Sequence, residues 1–305
     1  MDRILVGIDL SEASSLALDT ALALSEVTGA EVEAVYVISA QPPVTLWYDL
    51  PYLGPIADPA LERELKRQFE EFVSTRAEKH AGMVGRVQTR VRNGFEYREL
   101  LAEAARFEAS LIVVGSHGHT AVQRFFLGSV SSKILRRARL PVFVARGSSA
   151  PSRILVGVDL GESTEHVLRT AQAWQDALGA KLTIVHVLAP VSLHPPNVGL
   201  GQEVLPLHAA REKETRRSIE SAVDKVIPRD SRPDVRFVEG QPYEVLCDVA
   251  QQAGDDLVIV GTHEKHGLFD LGDTAMRLAH RCQCSVLVAR PPARRDVQER
   301  PDAGP

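Results

Sequence analysis

The chain has 305 residues, of which 44% are apolar and 25% charged, with a formal net charge of −5 at pH 7. That length is enough for two ordinary domains, each with its own core, and the composition is that of a globular protein. The mild acidity gives no electrostatic case for nucleic acid or an anionic membrane, no apolar run is long enough to span a bilayer, and three cysteines make no disulfide framework.

In chain order, residues 4–8 read as a buried strand entered directly from Met1, with no signal-peptide architecture, so the expected location is the cytoplasm. Ser11 is a helix N-cap candidate with Ser14 and Ser15 nearby, and Leu16, Thr20, Leu24 and Val27 form a helical stripe ending at Gly29. Residues 32–38 are a second strand. Residues 41–59 are proline-rich and irregular, and helical periodicity resumes over 60–81. A third strand alternates over 84–91, a helix follows over 96–107, and residues 111–114 make a fourth strand. A helix over 127–138 and a strand over 142–145 complete the run. Strands alternating with helices imply right-handed crossovers and a parallel sheet covered on both faces.

The chain then repeats itself. RILVGIDL at residues 3–10 returns as RILVGVDL at 153–160, and LPVFVAR at 140–146 as CSVLVAR at 284–290. Gly94 precedes Gly115 by the same interval that separates Gly240 from Gly261. Two copies of one domain are therefore expected over 1–147 and 152–290, joined by the turn-rich GSSAPS linker and followed by a disordered tail over 291–305. The second copy's strands are expected at 154–158, 182–187, 235–238, 257–260 and 286–289.

In an open parallel sheet, ligands collect beyond the carboxyl ends of the strands, where strand order reverses. Asp9 ends the first strand, and Gly115-Ser116-His117-Gly118 leaves the fourth. Gly128-Ser129 then opens a helix whose first amides are free, and free amides with the helix dipole favour an anion. Glycines also let backbone approach phosphate oxygens without a Cβ in the way. The competing reading is that these glycines only shape turns and caps. Neither GxxxxGK(S/T) nor GxGxxG occurs.

Gly-x-x-Gly, nine residues, then Gly-Ser, placed after the fourth strand, resembles the ATP-binding signature of the universal stress protein family. The resemblance spans both copies and includes the opening Arg-Ile-Leu-Val-Gly-x-Asp. It implies two Rossmann-like domains of the adenine nucleotide alpha hydrolase-like type, each with strand order 3-2-1-4-5, binding ATP with Mg2+ on its phosphates. Carried across by motif, Asp9 lies near the ribose or the phosphate–metal end, and Val37 meets adenine through its backbone. Val114 and Gly115 flank the ribose, and Gly118, Gly128, Ser129 and Val130 form the phosphate shell. Domains of this family commonly pair through their fifth strands, so residues 142–145 and 286–289 are expected to meet within the chain, with a further homodimer as a second expectation.

The second copy departs from the motif. Glu264 stands where the second glycine belongs, and Asp273 replaces the serine after Gly272, in a loop two residues shorter. Two carboxylates at those positions are expected to repel phosphates, so this copy is not expected to bind ATP in the usual way, although Asp159 and Val187 are kept.

Other clusters carry competing readings. Cys282 and Cys284 beside His280 suggest a metal, but the spacing fits no zinc pattern and buried thiols are the simpler account. His117 and His119 either touch phosphate or face solvent, and His263, Glu264 and His266 form either a surface metal site or a plain loop. Arg136, Arg137 and Arg139 suit a helix C-terminus, and Phe125 and Phe126 suit core anchoring. The aromatic insert over 42–59, with Trp47, Tyr48 and Tyr52, could cover adenine or meet a partner. No catalytic set is present, so an ATP-binding regulatory protein with at most slow hydrolysis is expected. An ATP-using enzyme (a slow ATPase or an adenylyl transferase) and a nucleotide-free scaffold are the alternatives.

Overall fold

A computed structural model describes residues 1–39, 59–116, 127–188, 201–265 and 268–291. The first copy runs β1 (Arg3–Ile8), α1 (Glu12–Thr28), β2 (Glu31–Ser39), α2 (Pro59–Ala77), β3 (Val87–Gly94), α3 (Glu96–Arg106), β4 (Leu111–Gly115), α4 (Ser129–Arg137) and β5 (Val142–Ala145). The second runs β6 (Arg153–Val158), α5 (Thr164–Leu178), β7 (Lys181–Leu188), α6 (Gly201–Val226), β8 (Asp234–Glu239), α7 (Pro242–Ala253) and β9 (Leu257–Val260). A hairpin, β10 (His263–Lys265) and β11 (Leu268–Asp270), precedes α8 (Asp273–Arg281) and β12 (Ser285–Val288). Residues 292–305 of the expected tail and 41–58 of the expected insert lie outside the described residues.

The strands form one ten-stranded sheet in the order β3-β2-β1-β4-β5-β12-β9-β6-β7-β8. Each half therefore has the expected order 3-2-1-4-5, and all its pairings are parallel. The halves meet at the antiparallel pair β5–β12, with Phe143 opposite Leu287. The fifth strands thus pair within the chain, which hides two sheet edges that would otherwise present unpaired main chain. The outer edges are β3 and β8.

Both faces of the sheet are covered, which is why its central strands are apolar on both sides. One core layer joins Ile4, Val6, Leu18, Leu22, Phe143, Ile154 and Leu287, and the other joins Leu5, Ile112, Ile134, Leu155, Val258 and Val286. Each layer runs unbroken through both copies. The seam carries side chains across as well: Phe143 of β5 stacks on Trp174 of α5, ring centroids 5.7 Å apart. Arg146 donates to the Ala279 carbonyl of α8, and Arg290 donates to the Leu135 carbonyl of α4. These two bonds are equivalents across a pseudo-twofold axis, since the motif that ends in Arg146 is the one that ends in Arg290. Burial pushes the Arg290 guanidinium down to about 10.

Several expected boundaries shift. Of the expected stripe on α1, Thr20 and Leu24 are buried, whereas Leu16 is only partly buried and Val27 is 53% exposed. Ala17, Leu18, Ala21 and Leu22 complete the buried face, alanines carrying much of it where α1 packs closely on the sheet. The third strand starts at Val87, since Gly82 and Gly85 adopt left-handed turns and leave Val84 outside. The fourth helix starts at Ser129, with Leu127 and Gly128 leading in. Ser11 caps α1 as expected, its hydroxyl accepting from the Ser14 amide.

Gly94 and Gly240 share a second equivalence, with φ of 154° and 145° where β3 and β8 turn into α3 and α7. That backbone region favours glycine, which accounts for their matched spacing. A charged cluster distinguishes the first copy: Glu33 of β2 and Glu103 of α3 are buried, with Arg106 2.8 Å from Glu33 and Arg92 2.7 Å from Glu103. The second copy has Thr183 and Val249 at these positions. In the last turn of α4, Arg137 lies over the Tyr97 ring at 5.2 Å, and that is a packing role.

Candidate functional site

The crevice between β1 and β4 is where the strand order reverses, and a cleft of about 220 Å³ opens there. Seven of the eight expected residues line it: Asp9, Val37, Val114, Gly115, Gly128, Ser129 and Val130. The eighth, Gly118, lies outside the described residues, as do His117, His119, Phe125 and Phe126. Sequence reasoning missed Ser14, Glu96, Leu100 and Ser131, which also line the cleft. Ser131 had a signal, the Gly-Ser-Val-Ser entry to α4, whereas Glu96 is brought in only by the turn at Gly94.

Each wall has a local cause. Asp9 sits in the turn after β1, where its Oδ1 accepts from the Ser11 amide at 3.0 Å, so the turn orients the carboxylate. Its charge reaches Tyr36, whose phenol is held above the usual range first by burial and then by Asp9. Gly115 is required by packing: a Cβ there would lie 2.7 Å from the Ala13 carbonyl carbon at the start of α1. The close approach of β4 to α1 thus explains this glycine without any ligand.

The other end of the loop is tied back onto the strand. The Gly128 amide donates to the Ser116 carbonyl at 2.7 Å, and the Ser131 hydroxyl donates to the Gly115 carbonyl at 2.8 Å. Gly128 is the N-cap residue of α4, at φ −60°, and among the described residues no side chain caps the helix. A glycine N-cap leaves the amides of the first turn to whatever enters the cleft. At the base of this turn the Leu127 amide donates to Nδ1 of His280, a residue of the second copy. Burial first, then the charges of Arg146, Arg136 and Arg281, lower the His280 imidazole, which suits a neutral acceptor.

The second copy keeps an equivalent cleft of about 260 Å³, lined by Asp159, Val187, Gly261, Gly272 and Thr274. Asp159 again orients its own turn, accepting from the Gly161 amide at 2.9 Å. The expectation for Asp273 needs correction. Its carboxylate is 75% exposed and lies 2.7 Å from Arg277 one turn along α8, and it does not line the cleft. In the second copy Glu264 lies in β10 and pairs with Phe269 of β11, so this segment's main chain is engaged in a hairpin. The side chains of residues 263–270 lie outside the described ones.

The family model for universal stress proteins matches the chain twice, over residues 1–146 and 151–290. The chain belongs to the universal stress protein family. It is 29% identical over 304 residues to a universal stress protein of Mycolicibacterium smegmatis, a match covering 94% of this chain and 97% of the relative. Universal stress protein Rv2005c of Mycobacterium tuberculosis is 31% identical over 201 residues, 60% of this chain and 62% of that one. Among solved structures, a universal stress protein from Archaeoglobus fulgidus superposes with a TM-score of 0.63 at 19% identity, covering 94% of this chain and 98% of its own. A Pseudomonas aeruginosa structure described as a putative universal stress protein gives 0.64 at 17% identity, covering 95% and 94%. These superpositions show that the tandem Rossmann-like arrangement is shared.

Proposed function

We propose that this universal stress protein is a regulatory nucleotide-binding protein that holds one ATP, with Mg2+, in the cleft of its first copy. The observation that carries the reading is the convergence of Asp9, Val37, Val114, Gly115, Gly128, Ser129 and Val130 on one cleft that ends in an uncapped helix N-terminus. The apolar side, Ile8, Val37, Leu100 and Val114, suits a base and sugar, and the α4 amides suit phosphate oxygens. Among the described lining residues there are two carboxylates, Asp9 and Glu96, and no lysine or arginine. A polyphosphate would therefore arrive with a divalent cation, which the donor set fits: Asp9 at the strand end supplies a hard oxygen ligand, directly or through water.

The same lining holds no cationic side chain to stabilise a transferring phosphoryl group. Binding, not turnover, is the role, with hydrolysis slow at best. The second copy completes the sheet and supports the α4 entry through His280, and its hairpin takes the place of a phosphate loop.

The test is thermal stabilisation. ATP with Mg2+ raises the melting temperature of the wild-type chain by mass action, and Gly118→Glu abolishes the rise while leaving the circular dichroism spectrum unchanged. Equal stabilisation of both proteins by ATP refutes the site, and rapid release of AMP or phosphate refutes the regulatory reading.

A further inference from the structure

All three cysteines of the chain, far apart in sequence, converge on one spot. Cys247 comes from α7, Cys282 caps the C-terminus of α8, and Cys284 lies just before β12. The Cys282 and Cys284 sulfurs are 3.5 Å apart, and Cys247 lines the same cavity. The cluster lines a cavity of about 380 Å³ beside the linker, together with Arg146, the seam arginine. Cys282 is buried, while Cys247 and Cys284 are partly open.

Neither bland reading covers this arrangement. Buried thiols serving as small apolar fillers would have no reason to meet one another at a cavity wall next to an arginine. A metal site would need a suitable ligand set, and among the described residues no group of three or more His, Cys, Asp or Glu is placed to hold an ion. What the geometry does favour is exchange between two sulfurs in contact, with Arg146 on the same cavity wall. The neighbouring thiols, then the Arg146 charge, pull the Cys282 thiol below its ordinary range against the effect of burial, which favours it as the attacking sulfur.

We infer that the Cys247–Cys282–Cys284 cluster is a reversible thiol–disulfide site, oxidised by a peroxide, with Cys282 as one member of the disulfide in every case. The Cys282 thiolate attacks the peroxide oxygen; the O–O bond breaks, Cys282 becomes a sulfenic acid, and the leaving hydroxide or alkoxide takes a proton from solvent to depart as water or alcohol. The thiol of Cys284 or Cys247 then attacks the sulfenic sulfur, the S–S bond forms, and water carries off the hydroxyl and the thiol proton. Two electrons pass from the pair of thiols to the peroxide, and an external dithiol returns them. Moving from 3.5 Å to a bond of about 2 Å is a small displacement, and Cys284 sits in a turn that can supply it. The inference is independent of nucleotide binding.

The test treats the reduced full-length chain with hydrogen peroxide, then maps tryptic peptides without reduction, with fragmentation at Gln283 to separate Cys282 from Cys284, which share one tryptic peptide. The expected product has lost the mass of two hydrogens, contains a single intramolecular disulfide that includes Cys282, and returns to three free thiols with dithiothreitol. Cys247→Ser and Cys284→Ser each still form a disulfide through Cys282. Three free thiols after peroxide, a disulfide joining Cys247 to Cys284, or direct over-oxidation of Cys282 without any disulfide would each overturn the assignment. Because the decisive reading is made on the wild-type chain, it does not depend on whether a variant folds.

Discussion

At the scale of single residues, the glycines around the cleft divide by physical cause. Gly115 is fixed by the backbone of α1, which a Cβ would meet at 2.7 Å, whereas the equivalent Gly261 faces the side chains of Val167 and Ser163. Backbone yields less than side chains. Gly115→Ala is therefore expected to lower stability by about 1–3 kcal/mol, the usual range for overpacking, and Gly261→Ala by less, read from urea unfolding midpoints. Equal effects would contradict this account of the β4–α1 contact. Glu33 gives a prediction in pH. Burial first, and then the Glu103 charge, hold its carboxyl above the ordinary value of 4.5, so the folded chain binds this proton more tightly than the unfolded chain does. Its contribution is present below 4.5 and is lost as pH rises through the raised value. Measured against Glu33→Gln, the wild type should lose relative stability over that rise, and a pH-independent difference would contradict it.

At the scale of elements, the deciding contacts are those at the seam. Strands β5 and β12 join the two halves of the sheet, and Phe143 of the first copy stacks on Trp174 of the second. Phe143→Ala should cost about 3–5 kcal/mol, as for other large core aromatics, and should lower one shared unfolding transition. Two separated transitions, with only the first half affected, would contradict a continuous core. Element existence was legible in the sequence because buried parallel strands such as residues 4–8 and 111–114 are short apolar runs flanked by helical patterns. Element edges were less so: Val84 is apolar yet lies outside β3, because the turns at Gly82 and Gly85 come first. On α1 the stripe was half legible: Thr20 and Leu24 are buried, but Ala17 and Ala21, which share the buried face, read as neutral in a pattern of large side chains. The β10–β11 hairpin left no signal at all in the sequence reading. Its strands have three residues each, too few for an alternating period to show.

At the scale of the whole molecule, an internal repeat was enough to foresee two domains of one fold, and the pairing of their fifth strands followed from the family resemblance. What no repeat could show is how unlike copies serve each other. His280 of the second copy accepts a bond at the entry to the first copy's α4, and the three cysteines meet beside the seam arginine of the first copy. Such contacts join residues more than a hundred positions apart, with no periodicity to announce them. The pairing of β5 with β12 also means that any whole-chain dimer must use another surface, since the edge through which single domains pair is already filled. Within this frame the central claim is asymmetry: two similar clefts, each ending at a glycine-capped helix, of which only the first, whose loop carries Gly118 where the second carries Glu264, takes a triphosphate. Isothermal titration with ATP and Mg2+, checked by native mass spectrometry of the full chain, tests it most directly. The account predicts one nucleotide per chain, lost on Gly118→Glu; two nucleotides per chain, or one that survives that substitution, would contradict it.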